Sequence, residues 1–197
     1  MIAEPKIRFA VSCSSNMNRS MEAHNFMKKK NFLVESFGSG GQIKLPGPSF
    51  DKPNCYAFGE TTYDYIYKDL ATKDKRFYTR NGLLGILDRN RKIKEKPERF
   101  QDQDQIFDVI LCLEERVYDH IVDFLQKRPP KTGERVFVIN IDIRDNLQEA
   151  TKGAYVVCEL CEMLETLEDL DEGIEICLGT FERKYRDRNL IYTVCFF

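Results

Sequence analysis

The sequence predicts an α/β fold, a three-layer sandwich around a central, mostly parallel sheet. Three observations carry that reading. Short runs rich in β-branched and aromatic residues alternate with longer amphipathic runs. Residues 107–113 are apolar almost without a break, as a central strand buried on both faces would be. The first short run passes through a tight polar loop directly into a helical pattern.

Residues 6–12 read as the first strand, with Ile7, Phe9 and Val11 alternating. Residues 19–30 read as a helix ending in Lys28, Lys29 and Lys30, cations suited to a helix C-terminus. Residues 32–37 read as the second strand, and Gly38-Ser39-Gly40-Gly41 follows it. The stretch from about 42 to 105 is too long for a simple crossover. It holds Pro46-Gly47-Pro48 and helical patterns near 60–72 and 79–90. Open α/β sheets bind ligands beyond the carboxyl ends of their strands. An insertion leaving the second strand there is expected to be a lid that walls the site; an insertion far from the pocket is the alternative. Residues 107–113 and 136–142 read as the next strands, and 190–197 as a late edge strand. Helical spacing marks 114–128, through Val117, Ile121 and Leu125, and also 149–168 and 172–185.

A length of 197 residues suits a single domain spanning 1–197, with the insertion as its lid. With 42% hydrophobic and 31% charged residues, the chain can bury a real core. A net charge of -2 supplies no field to draw it onto nucleic acid or a membrane. No run approaches the ~18 apolar residues of a membrane span. The first six residues do not read as a secretory signal. The seven cysteines are odd in number and lack framework spacing, which fits reduced thiols in cytosol or nucleus. Cys158 and Cys161 form a C-x-x-C inside an apolar helical pattern and read as core residues. Only His24 and His120 are available beside the cysteines, so no zinc site is expected, and no metal or cofactor is called for.

The chemistry sits in Cys13-Ser14-Ser15-Asn16-Met17-Asn18-Arg19-Ser20: a cysteine, five residues, then arginine and serine. Free N–H groups at a helix start favour an anion. The same field favours thiolate over thiol. Arg19 can grip two phosphoryl oxygens in a fork that lysine cannot copy. Residues 14–18 let the chain curl its amides around a tetrahedral dianion. Ser20 is placed to hydrogen-bond the sulfur and stabilise it as a leaving group. Asn16 or Asn18 can take the left-handed conformation such a loop needs. Together these point to phosphate-ester hydrolysis through a cysteine. Such an enzyme also needs an acid for the leaving oxygen, which then serves as a base toward water. Asp142, closing a strand, is the first candidate. Asp145, three residues on, is the rival, although Asp145-Asn146 before a helix also reads as a cap.

Longer stretches resemble a known family. Residues 11–25, which contain the cysteine loop, are similar to the nuclear phosphatases that act on the C-terminal heptad repeats of RNA polymerase II and associate with symplekin in pre-mRNA 3′-end processing. So are Lys44-Leu45-Pro46-Gly47-Pro48, Asp51-Lys52-Pro53-Asn54, Leu87-Asp88-Arg89-Asn90, Pro97-Glu98-Arg99-Phe100-Gln101, the run of residues 114–119, and the tail of residues 193–197. The resemblance implies a fold like that of low-molecular-weight tyrosine phosphatases with added elements. It implies a phosphoserine substrate at the fifth heptad position, followed by proline in the cis form. Cys13 would then be the nucleophile, Arg19 the clamp and Asp142 the acid, with Ser20 beside the sulfur. Ser14, Ser15, Asn16, Met17 and Asn18 would surround the phosphate. Lys44, Leu45 and Pro46, with Met17, would border the peptide. The implied partners are the polymerase phosphopeptide and a symplekin-like scaffold in the nucleus.

The chain departs from that pattern in three places. Gly85-Ile86 stands where His-Met is expected, the segment 126–135 looks shortened, and Asp145 is not a position the pattern is expected to fix. These departures suit a diverged paralog and bear on substrate contacts. The competing readings are a phosphotyrosine phosphatase or arsenate reductase on the same loop, or a scaffold with little activity.

Overall fold

The computed structural model describes residues 7–49 and 51–197. The first six residues, including the start of the predicted first strand, lie outside it. Seven strands and six α-helices follow in order: β1 (Arg8–Cys13), α1 (Arg19–Lys29), β2 (Leu33–Gly38), β3 (Ile43–Leu45), β4 (Asn54–Tyr56), α2 (Tyr63–Arg80), α3 (Leu83–Asn90), β5 (Val109–Cys112), α4 (Glu115–Lys127), β6 (Arg135–Asn140), α5 (Leu147–Glu165), α6 (Leu170–Lys184) and β7 (Ile191–Phe196). The small β3–β4 hairpin went unread in the sequence, because three-residue strands carry no measurable period.

The main sheet runs β2-β1-β5-β6-β7. Its first four strands are parallel, and β7 pairs antiparallel with β6 at the edge. Alternation along β1 sends Phe9 and Val11 to one face and Ala10 to the other. The first face packs on α1, α5 and α6 through Met27, Val157, Leu160 and Leu178. The second packs on α4 through Val117, Ile121 and Leu125. With helices on both faces, β5 has no solvated side, and that is why its sequence is apolar throughout. Cys158 and Cys161 belong to the first of these cores. Burial pushes the Cys158 thiol up to about 11 and Cys161 further, so both are held as inert thiols.

A third core belongs to the insertion. Tyr63, Ile66, Leu70, Leu84 and Leu87 of α2 and α3 pack with Ile43 and Leu45 of the hairpin, and with Met17 and Met21 beside the cysteine loop. The insertion is thus fastened to the segment where chemistry is expected. The chain goes from β1 to β2 on one side and returns to β5 on the other. The loop leaving β1 therefore opens at the sheet's topological switch point, where neighbouring loops diverge and leave a crevice.

His24 of α1 is buried, its Nδ1 2.8 Å from Ser36 Oγ. Burial, aided by Lys94 and Lys28, lowers its pKa to about 4. An unfolded histidine titrates near ~6.5. Between those values the unfolded chain binds a proton that the folded chain refuses, so stability falls as pH drops through that window. Chemical unfolding followed against pH should lose roughly 3 kcal/mol from this group. His24→Gln should flatten that part of the curve.

Candidate active site

Cys13 ends β1 and Arg19 begins α1. Between them, Asn16 takes the left-handed conformation at φ 50° and turns the chain back on itself. Behind the loop, Ser39 and Gly40 donate their N–H groups to Cys13 O and Ser14 O, each at 3.0 Å. A Cβ at Gly38 would lie 2.9 Å from Ser14 O and one at Gly40 3.0 Å from it, so this approach needs glycine.

Ser20 Oγ lies 3.0 Å from Cys13 Sγ. Asn16 fixes a second partner of this hydroxyl. The Glu98 N–H, which can only donate, points at Asn16 Oδ1 at 3.1 Å. Asn16 Nδ2 must then face Ser20 Oγ, to which it donates at 3.1 Å. Ser20 keeps its own hydrogen, which a Cys13 thiolate, able only to accept, receives. Asn16 is wholly buried and supports the loop from below. The residues that do line the cleft here are Cys13, Ser14, Ser15, Met17 and Asn18.

Arg19 is 4% exposed and closely held. Nη1 donates to Leu113 O at 3.2 Å and to Ile143 O at 2.9 Å, and Nη2 pairs with Glu114 at 2.6 Å. Burial works against its charge, but Cys13, Asp145 and Glu114 outweigh burial and hold its pKa above the ordinary arginine value. Nε makes no hydrogen bond and lies 3.7 Å from Asp145 Oδ1. The guanidinium is therefore oriented by the strand ends, and its buried Nε, beside Asp145, is left without a hydrogen-bond partner.

The two aspartates separate clearly. Beyond β6 the chain stays paired to the β5 end: Ile141 N donates to Cys112 O and Ile143 N to Leu113 O. Ile141 and Ile143 both point into the first core. Alternation therefore sends Asp142 to the other side. There its Oδ1 accepts from the Glu115 N–H at 3.1 Å and from Asn140 Nδ2 at 3.0 Å, tying down the start of α4. It does not line the cleft. Asp145 does, and its Oδ1 accepts from Asn18 Nδ2 at 2.9 Å. The cap of α5 is Asn146, whose side chain accepts from Glu149 N, so Asp145 is spared that duty. Geometry thus favours Asp145 over Asp142, reversing the order expected from the sequence.

The cleft measures about 710 Å³. Lys44, Leu45 and Pro46 of the hairpin form one wall, where the sequence places them. Phe77, Asn81, Leu83 and Ile86 of α2 and α3 form another, and Leu147 of α5 closes the rim. Except for Ile86, these last positions carried no motif in the sequence. The one available signal was Gly82, at φ 86°, where any Cβ would come within 2.6 Å of Leu147. A tyrosine phosphatase would want an aromatic-walled cleft, but among the described residues no tyrosine lines this one: Tyr63 is buried beneath the loop and Tyr65 is exposed. Among the described residues, no cluster of His, Cys, Asp and Glu could hold a metal ion, and no helix is long and apolar enough to cross a membrane.

A family model described as Ssu72-like protein matches residues 7–197. The Caenorhabditis elegans RNA polymerase II C-terminal domain phosphatase ssup-72 is 58% identical over 192 residues, 98% of each chain. The Homo sapiens RNA polymerase II C-terminal domain phosphatase SSU72 is 53% identical over 191 residues, 97% of each. Among solved structures, Drosophila melanogaster Ssu72 with symplekin, bound to a cis peptidomimetic of the polymerase peptide with phosphoserine at its fifth position, superposes with a TM-score of 0.93 at 48% identity. That match covers 98% of this chain and 100% of the other.

Proposed function

This chain belongs to the Ssu72-like family, and from that premise we propose that it is a cysteine-dependent phosphatase of the RNA polymerase II C-terminal domain. Its substrate is the fifth-position phosphoserine of the heptad, followed by proline in the cis form. Its partner is a symplekin-like scaffold and its place of work is the nucleus. The observation that carries this reading is kinship over the whole described chain to phosphatases of that substrate, with the cysteine loop intact.

The site residues divide the work between two steps. Phosphate settles against the amides of residues 14–19, with Arg19 Nε on one oxygen. The Cys13 thiolate attacks phosphorus, and the P–O bond to serine breaks. Asp145, protonated, gives its hydrogen to the departing serine oxygen. The Asp145 carboxylate then takes a proton from water, whose oxygen attacks the phosphocysteine. The S–P bond breaks, phosphate leaves and sulfur departs as thiolate, which the Ser20 hydroxyl stabilises. Met17, Leu45 and Pro46 supply the apolar wall a bent serine–proline turn needs. Asp142 is assigned a supporting role at the start of α4.

The test is phosphate release from a heptad peptide phosphorylated at its fifth-position serine, with and without a prolyl isomerase. The cis form is a minor isomer of exposed chains, roughly 10–30%. Release should therefore quicken with isomerase once free cis peptide is consumed. Faster release from a phosphotyrosine peptide would move the assignment to a tyrosine phosphatase. No release from either, with symplekin binding intact, would leave a scaffold.

A further inference from the structure

The segment between β2 and β5 reaches beneath the cysteine loop as well as walling the cleft. Tyr63, the first residue of α2, donates its hydroxyl to Asn16 O at 2.6 Å. At the end of α3, Asn90 Nδ2 donates to Met17 O at 2.8 Å. Arg89 Nη2 donates to Met17 O at 3.0 Å and to Asn18 O at 3.3 Å. The carbonyls of three successive loop residues are thus taken from behind by the insertion. Arg89 is itself locked by Glu22 at 2.5 Å, and Glu22 accepts a second hydrogen bond from Thr151 of α5.

The peptide unit is planar and trans, so a carbonyl held on one side turns the next residue's N–H to the other. Holding Asn16 O, Met17 O and Asn18 O therefore aims the N–H groups of Met17, Asn18 and Arg19 away from the insertion. Unheld, those carbonyls could swing toward the pocket and repel a phosphoryl group. A site whose dipoles are fixed in advance has no reorganisation to undergo at the moment of reaction.

We infer that the insertion is a splint for the phosphate loop, and that Tyr63, Arg89 and Asn90 are positioning residues that keep its amides aimed at phosphate before substrate arrives. This rests on the phosphatase reading above and adds to it a second role for the insertion. Tyr63 and Asn90 are fully buried and Arg89 is part-buried, and none of the three lines the cleft. If instead they merely shaped the peptide wall, a small aryl phosphate, which needs no wall, would be unaffected by their loss.

That difference sets the experiment. Tyr63→Phe, which keeps the ring and loses one hydroxyl, and Asn90→Ala are compared with the parent protein. The readouts are hydrolysis of p-nitrophenyl phosphate and of the phosphoserine peptide, inhibition by inorganic phosphate, alkylation of Cys13 at neutral pH, and melting temperature. Each variant should lose about tenfold to a hundredfold in kcat/KM on both substrates by a similar factor. Phosphate inhibition should weaken and Cys13 alkylation should slow in parallel, at temperatures where the variant is still folded. If the folded Tyr63→Phe protein keeps aryl phosphate turnover and phosphate inhibition within about twofold of the parent, the splint is overturned. A loss confined to the peptide overturns it equally. Should Asn90→Ala fail to fold, Tyr63→Phe decides. Failure of the underlying reading would look different: the parent itself would show no release that depends on Cys13.

Discussion

Cys13→Ser protein should release no measurable phosphate from the fifth-position phosphoserine peptide, yet still bind it. The substitution replaces one atom. A serine hydroxyl in that position stays protonated, and among the described residues the one side chain hydrogen-bonded to the sulfur is Ser20, a hydroxyl and not a base. No base is placed to activate the hydroxyl, so the loss in kcat should exceed about 10⁴-fold. Binding should survive, because the loop amides and Arg19 are untouched. Arg19 is fixed by Leu113 O, Ile143 O and Glu114, none of which depends on the sulfur. Equilibrium binding of the labelled phosphopeptide and steady-state release, measured on the same preparation, check both halves. Turnover at more than a trace of the parent's rate would remove Cys13 from the mechanism.

Asp145→Asn should lower kcat on the phosphopeptide by about 10²–10⁴-fold. Serine is a poor leaving group, and its oxygen needs a proton as the bond to phosphorus breaks. An aryl phosphate leaves as a stabilised phenolate, so its loss should be much smaller. The ratio of the two losses is the signature of an acid, because general damage to the pocket would slow both alike. Asp142→Asn should leave kcat near the parent's value, since an amide oxygen still accepts from the Glu115 N–H. Asp142→Ala, which removes that acceptor, should cost about 1 kcal/mol of stability in denaturant unfolding, the usual magnitude for losing a helix-start acceptor. If Asp142→Asn has the larger kinetic effect, the assignment of the acid to Asp145 fails.

The contrast between these two aspartates shows how far a sequence can be read. Both stand after a strand, three residues apart, and both are chemically competent. The choice turns on the pairing of residues 141–143 with the end of β5, which continues the alternation past β6 and sends Asp142 toward α4. It turns also on Asn146 taking the cap of α5. The first of these contacts spans some thirty residues, while the second, from Glu149 N–H to Asn146, is local. Ile143 is held where it is because Gly153, ten residues on, has no side chain: a Cβ there would come within 2.3 Å of Ile143.

By itself the sequence determined whatever depends on neighbours along the chain. The 2.0 and 3.6 periods gave the order of strands and helices in the main sheet. The spacing of Cys13, Arg19 and Ser20 marked the loop, and offered Asn16 or Asn18 for its left-handed turn, of which the fold uses Asn16. The apolar run through β5 announced a strand covered on both faces. Tertiary structure alone decided which carboxylate meets the cleft, which residues of α2, α3 and α5 complete its walls, and which side chains hold the loop from behind. Phe77, Leu83 and Leu147 look like ordinary helix residues until the insertion folds back over β1. Tyr63, Arg89 and Asn90 lie 47, 72 and 73 positions away from the loop residues they hold. Periodicity and spacing encode geometry over a few residues, where covalent bonds limit the choices. Contacts across such distances are fixed only when the cores on both sheet faces, and the third beneath the insertion, close together.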